Sequence, residues 1–135
     1  GVWGWSGGGS FTLNMMTNTK EFQAGVSVAP VTDWHYYDTK WAEFGMKRPV
    51  DNPEGYESTS FVKTAKNLHG SLLLVHGTYD DNVHPQNSWH FIDELVKENI
   101  QFEMMFYPMR KHGIADDEAR IHLYTKMLSF WELNL

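Results

Sequence analysis

The chain contains no cysteine. That excludes a disulfide scaffold, a thiolate zinc site and a cysteine nucleophile. It leaves the compartment open, because a large secreted enzyme can do without disulfides. Positive charge is scarce: 11 Lys and Arg face 17 Asp and Glu, a net charge of −6 with His neutral. A mildly acidic chain has no general attraction for phosphate, so nucleic acid is not an expected partner. No apolar run approaches the ~18–20 residues of a membrane span. No internal repeat and no low-complexity segment interrupts the sequence. The 135 residues, 41% hydrophobic and 21% charged, amount to one domain or less and carry enough apolar material for one packed core.

Aromatic residues, by contrast, are dense at 15%, with six Trp, which points to stacked or pocket-lining surface. The chain opens inside an apolar strand that runs into a glycine turn, Gly1-Val2-Trp3-Gly4-Trp5-Ser6-Gly7-Gly8-Gly9, and carries no initial Met. The expectation is a C-terminal piece of a longer protein.

Hydrophobic periodicity predicts the elements. Val2 to Trp5 reads as the end of a strand, and Gly7 to about Asn18 as a helix with Phe11, Met15 and Met16 on one side. Ala24 to Ala29 is a buried strand ended by Pro30. Thr32 to Phe44 is a short aromatic helix or turn, Met46 to Ser58 a loop, and Thr59 to Lys66 a short helix. Leu72 to Val75 is a second buried strand. Pro85 to about Glu98 is a helix with Trp89, Ile92 and Val96 at helical spacing and Pro85 in its first turn. Phe102 to Tyr107 is a third buried strand. Asp117 to Asn134 is the last helix, with Ile121, Tyr124, Leu128 and Trp131 as its stripe. Strands alternating with helices argue for a parallel sheet covered on both faces.

Chemistry concentrates at three strand ends. Gly4-Trp5-Ser6-Gly7-Gly8 matches G-x-S-x-G between a strand and a helix, the turn that lifts a serine hydroxyl above a sheet edge. The following helix N-terminus favours negative charge there, and the Gly7 N–H would be one oxyanion donor. A serine nucleophile needs a base, and the base needs an orienting carboxylate. The hydrolase order is Ser, then Asp or Glu, then His. After the Leu72–Val75 strand comes His76-Gly77-Thr78-Tyr79-Asp80-Asp81-Asn82-Val83-His84, and after the Phe102–Tyr107 strand comes Pro108-Met109-Arg110-Lys111-His112-Gly113. Asp80 or Asp81, and His112, stand where the acid and the base belong. Of the other histidines, His35, His69, His90 and His122 read as solvated or capping. His76 reads as a hydrogen-bonded structural residue, and His84 as a possible rim of the pocket. No paired metal-ligand spacing occurs, so no metal is expected.

The elbow G-W-S-G-G, the segment Val28-Ala29-Pro30-Val31 with Trp34 and Tyr36-Tyr37-Asp38, the block H-G-T-Y-D-D-N-V-H and the later H-G-I-A resemble the prolyl oligopeptidase family of serine peptidases, its dipeptidyl peptidase IV branch above all. The similarity runs from Gly1 to Leu135. It implies the C-terminal half of an α/β-hydrolase fold: about four parallel strands with helices on both faces. By the same resemblance Ser6 matches the nucleophile, Asp80 the acid and His112 the base. Asn82 matches a side chain that helps hold the substrate backbone. Val31, Trp34, Tyr37, Trp41 and Val83 match the walls of a pocket for a proline-sized residue just before the cut bond. A flat aromatic pocket suits a compact apolar ring without an N–H.

The implied activity is release of N-terminal dipeptides by acyl-enzyme chemistry, after proline or alanine, with no cofactor. The implied partner is a peptide with a free amino terminus, and a homodimer is a further implication. Only the resemblance points to a periplasmic or extracytoplasmic setting. It also implies an upstream β-propeller, which supplies acidic groups for the substrate's amino terminus, and an upstream half of the hydrolase sheet, which supplies a second oxyanion donor. Two positions depart from the branch: Gly7 stands where Tyr is frequent, and Trp41 where Tyr is usual. Both bear on the strictness of proline selection. The same-fold alternatives are an oligopeptidase, an acylaminoacyl peptidase or an esterase. The alternative of another class is a non-catalytic hydrolase-like binding module.

Overall fold

A computed structural model describes residues 1–135. Four strands, β1 (Val2–Trp5), β2 (Ala24–Val28), β3 (Ser71–Gly77) and β4 (Glu103–Tyr107), form one sheet in the order β1-β2-β3-β4. All three pairings are parallel. Trp5 lies beside Val28, Val28 beside Val75, and Gly77 beside Tyr107, so the four C-terminal ends share one edge of the sheet. Ligands of open parallel sheets bind outside that edge.

Every residue of β2 is buried, and so is every residue of β3 except Ser71. Strands of a sheet covered on both sides need such continuous burial. Alternation along the strands then divides the core in two. Val26, Val28, Leu73 and Val75 pack with Leu123, Met127 and Phe130 of α6 (Asp117–Asn134). Leu72 packs on the opposite face with Leu13 and Met16 of α1 (Gly7–Asn18) and with Phe91 and Leu95. Between β2 and β3 run a 3-10 turn at Trp34–Tyr36, α2 (Thr39–Met46), a second 3-10 turn at Pro49–Asp51, α3 (Pro53–Ser58), α4 (Phe61–Thr64) and a third 3-10 turn at Ala65–Asn67. Between β3 and β4 lies α5 (Gln86–Lys97), which carries Phe91 and Leu95. No helix is long and apolar enough to cross a membrane.

Four details differ from the periodicity reading. β4 is not a buried strand: only Tyr107 is buried and Met104 is exposed, because β4 pairs on one side only, at the edge of the sheet. The 46–58 stretch is not a loop but a 3-10 turn followed by α3, because Pro49 and Pro53 each take a first-turn position where a missing N–H costs nothing. On α6 the buried stripe is Ala119, Leu123, Met127 and Phe130, whereas Ile121, Tyr124 and Leu128 face outward. The helix carries two apolar stripes, and only contact with the sheet decides between them. On α5 the outward residues are Trp89 and Val96, while Asn87 and Ser88 are fully buried. Those two polar side chains are drawn inward by bonds described below.

Candidate active site

Ser6 sits between β1 and α1 in a left-handed conformation, φ 58° and ψ −120°. A non-glycine residue in such a region costs on the order of 1–3 kcal/mol, so its surroundings must hold it there. They do so through the backbone. The Ser6 N–H donates to the Val28 carbonyl at 2.8 Å, and the Ser6 carbonyl accepts the Ser10 N–H at 3.0 Å. The Ser6 side chain makes no capping bond to the helix it precedes, so its hydroxyl is not consumed by the fold. The first N–H groups of α1, at Gly7 and beyond, lack intrahelical acceptors and stand beside it.

Two glycines make the turn this tight. A Cβ on Gly4 would lie 2.2 Å from the Gly8 carbonyl, and one on Gly9 would lie 2.7 Å from the Val28 oxygen. At Gly7 an added Cβ meets nothing within 4 Å, so that glycine is not demanded by packing.

Asp80, in the loop after β3, is buried with its side chain fully out of solvent. Its Oδ1 accepts the N–H groups of Asn82 at 3.0 Å and Val83 at 2.9 Å. Its Oδ2 lies 2.7 Å from Nδ1 of His112, which comes from the loop after β4. Nε2 of the buried His76 lies 3.2 Å from the same oxygen. Burial alone would raise the Asp80 pKa. The hydrogen bonds from His112 and His76, the His112 charge and the Val83 N–H outweigh it and hold the carboxyl far below the ordinary range. Asp81 turns away and pairs with the exposed Lys111 at 2.8 Å. Because Nδ1 of His112 is engaged with Asp80, Nε2 is the ring nitrogen left for exchange of a proton with a hydroxyl.

Beside Ser6 opens a cavity of about 260 Å³ lined by Ser6, Gly7, Val31, Trp34, Tyr37 and Trp41, with Ser10, Phe11 and Phe61 completing it. Trp34 and Trp41 stack at 5.0 Å between ring centroids, and Tyr37 meets Trp41 edge-on at 5.8 Å. Asp38 caps α2 by accepting the Trp41 N–H at 2.8 Å, which sets Trp41 on the first turn. Asn82 is not among the lining residues; it borders a neighbouring depression shared with Tyr37, whose hydroxyl its Oδ1 accepts at 2.9 Å. With its oxygen so occupied, the Asn82 amide N–H groups are left to donate elsewhere.

Four of the five residues expected to wall the pocket therefore line one cavity, together with Ser6 and Gly7. Val83 is not among the lining residues. It is fully buried and meets the site through its backbone, the N–H on Asp80 and the carbonyl on His76 at 2.8 Å.

Several participants escape the motif reading. Ser10 is read as part of a helix, yet its hydroxyl donates to the Val31 carbonyl at 2.7 Å and accepts the Val31 N–H at 3.0 Å. Phe11, read as lying on one side of α1 with Met15 and Met16, is largely exposed and lines the cavity. Its position four residues after Gly7 is the available signal, since i and i+4 share a helix face. Asn87 binds both Thr32 groups, accepting the N–H at 3.0 Å through Oδ1 and the hydroxyl at 2.7 Å through its carbonyl. It thereby ties the Val31 loop to α5.

The sequence profile of the prolyl oligopeptidase family matches residues 1–135. The chain belongs to the prolyl oligopeptidase family. Within that family, the dipeptidyl-aminopeptidase B of Aspergillus niger is 40% identical over 137 residues, covering 98% of this chain and 15% of the relative. Bovine (Bos taurus) dipeptidyl peptidase 4 is 39% identical over 133 residues, covering 96% of this chain and 17% of the relative. The crystal structure of Porphyromonas gingivalis dipeptidyl peptidase 4 superposes with a TM-score of 0.97 at 43% identity, covering 99% of this chain and 19% of that one. The fold is accordingly that of an α/β-hydrolase catalytic domain, and the chain spans less than a fifth of the length of these prolyl oligopeptidase family members.

Proposed function

We propose that this chain is the C-terminal part of the catalytic domain of a serine dipeptidyl peptidase, which releases N-terminal dipeptides with proline or alanine before the cut bond. In this reading Asp80 holds His112 by Nδ1 and stabilises the imidazolium that forms. His112 Nε2 takes the proton of Ser6 as the hydroxyl oxygen attacks the peptide carbonyl. The Gly7 N–H, at the start of α1, donates to the developing oxyanion. His112 then returns the proton to the departing amine, and a water activated by His112 hydrolyses the acyl-enzyme. The aromatic cavity takes the ring of the residue before the cut bond, and the Asn82 amide binds its backbone.

One observation carries the proposal: the 2.7 Å contact between Asp80 Oδ2 and His112 Nδ1, made by two loops on the sheet edge where Ser6 is held at positive φ. The lengths of the relatives support an enzyme with further upstream segments, which would supply the amino-terminus clamp and a second oxyanion donor. The outward apolar stripe of Ile121, Tyr124 and Leu128 on α6 supports burial against another surface, a second copy of the enzyme in this reading.

The test uses the full-length enzyme with a Gly-Pro reporter. A fluorophosphonate should label Ser6, and Ser6→Ala should abolish labelling and turnover while the protein stays folded. Labelling at another residue, or activity that survives the alanine substitution, would overturn the assignment.

A further inference from the structure

His76 lies at the end of β3 with no exposed surface, beneath the Asp80 loop. Both ring nitrogens are engaged. Nδ1 is 2.7 Å from the hydroxyl of the buried Ser88 on α5, and Nε2 is 2.8 Å from the Val83 carbonyl and 3.2 Å from Asp80 Oδ2. Nε2 thus faces two oxygens that can only accept, one of them an ionised carboxylate, so it must carry a hydrogen. Were the ring also protonated at Nδ1, the Ser88 hydroxyl hydrogen would lose the only acceptor it has among these contacts. The neutral Nε2–H tautomer satisfies every group: Ser88 donates to Nδ1, and Nε2–H is shared between Val83 and Asp80.

We propose that His76 is a positioning residue for the reaction: locked as this tautomer by Ser88, it donates to the oxygen of Asp80 that also receives His112, and so fixes the direction and the charge that Asp80 presents to the base. The inference rests on the peptidase reading above. The two backbone N–H groups of Asn82 and Val83 hold only Oδ1. On Oδ2 the sole donors are the two histidines. His76 therefore stops the carboxylate from turning and draws off part of the negative charge that would otherwise stabilise the His112 imidazolium. The other charged and titratable groups around this pair are Asp81 from the same loop, paired with Lys111 from the loop after β4, and Tyr37 from the loop leading to α2, whose hydroxyl pKa is raised by burial and by Asp38 and Asp80. Phe106 of β4 lies parallel to the His76 ring at 6.5 Å and adds only packing.

The experiment compares His76→Asn, His76→Gln and Ser88→Ala in the full-length enzyme, reading kcat, KM and the pH profile of kcat/KM. A Gln amide nitrogen reaches about as far as Nε2, whereas an Asn amide nitrogen stops near Nδ1. His76→Asn should lower kcat by about 10–100-fold, the scale of a small misplacement of a reacting group, with little change in KM. Its acid limb should move upward by roughly half a unit, because Asp80 with one donor fewer stabilises the imidazolium more strongly. His76→Gln should recover most of the lost rate and the wild-type limb. Ser88→Ala, which removes only the tautomer lock, should lose about fivefold with a smaller shift of the same sign. It decides the matter if the asparagine variant does not fold. A structural role alone would lower thermal stability and leave the acid limb in place; that result, or equal behaviour of Gln and Asn, would overturn the inference. Failure of wild-type Ser6 to take the fluorophosphonate would instead overturn the peptidase reading, and this inference with it.

Discussion

The indole N–H of Trp5 donates to the backbone carbonyl of His112 at 2.9 Å, although 107 positions separate the two residues. Trp5 ends β1 and directly precedes Ser6, whereas His112 follows β4 at the far side of the sheet. Three strand spacings, about 14 Å, lie between those strands. The loop after β4 therefore reaches back over the ends of β3 and β2, and the Trp5 bond anchors it there. The residue that precedes the proposed nucleophile also anchors the loop of the proposed base.

Trp5→Phe keeps an aromatic ring and removes this bond. The expected outcome is a loss of about 1 kcal/mol in folding stability and a kcat several-fold lower, with KM little changed. Denaturant unfolding and steady-state kinetics check it. A wild-type kcat would show that the His112 loop holds its place without the indole.

Asp80 and Asp81 should separate sharply. Asp80→Asn removes the acceptor of His112 Nδ1–H and should lower kcat on the order of 10³–10⁴-fold. Asp81→Asn loses an exposed pair with Lys111, both side chains about two-thirds accessible, and should change kcat less than about threefold. Kinetics on the two single variants decide, and the opposite ranking would exchange their roles.

On the proposed reading, Gly7, which lines the cavity, sets the breadth of the pocket. A Cβ there meets open space, so an added ring would sit against the cavity without disturbing the elbow. The enzyme should cleave measurably after alanine or slightly larger residues as well as proline, since one methylene of misfit is worth only ~1–3 kcal/mol in such pockets. Gly7→Tyr should sharpen the preference for proline. Reporter dipeptides that differ only at that residue supply the measurement. A wild-type proline preference above about a thousandfold would show the pocket already closed by other groups.

The His112 loop is braced at its far end as well. Arg110 contacts Asp116 through two nitrogens, each 3.0 Å from a carboxylate oxygen, and Asp116 caps α6 by accepting the Ala119 N–H at 3.0 Å. The Arg110 bond first, and then that N–H, bring Asp116 down to about 2. A depressed carboxyl contributes stability that is complete above its unfolded value of about 3.9 and is lost as pH falls through the folded value. Thermal unfolding of wild type and Asp116→Asn should therefore differ most above pH ~4 and converge toward pH ~2. A constant gap across that window would mean that the charge of Asp116 contributes nothing.

Much of this architecture is legible in the residues. β2 and β3 announce themselves as short apolar runs, and glycine-flanked Ser6 marks its own turn. The alternation of strands and helices leads to a parallel sheet, whose geometry then brings three loops to one edge. Other features depend on information that periodicity does not carry. α6 has two apolar stripes of similar weight, and the sheet takes Leu123, Met127 and Phe130 rather than Ile121, Tyr124 and Leu128. α5 buries Asn87 and Ser88 because Thr32 and His76 need partners there, a demand visible only in three dimensions. The choice between Asp80 and Asp81 likewise rests on backbone direction within one loop, where adjacent identical residues give no local signal.

The Ser10 hydroxyl holds both backbone groups of Val31 and stands one helical turn from Ser6. On the proposed reading, the wall that selects a substrate and the elbow that attacks it are thus one rigid body, joined through the Ser10 hydroxyl and the Ser6 N–H bond to Val28. Such a joint limits how the enzyme can diversify. A wider or narrower pocket cannot be reached by sliding the Val31 segment, because the serine would travel with it. Variation is left to side chains hung on the free rim, at Gly7, Phe11 and Trp41. A designer seeking new specificity can exchange these rim side chains and leave the staple untouched.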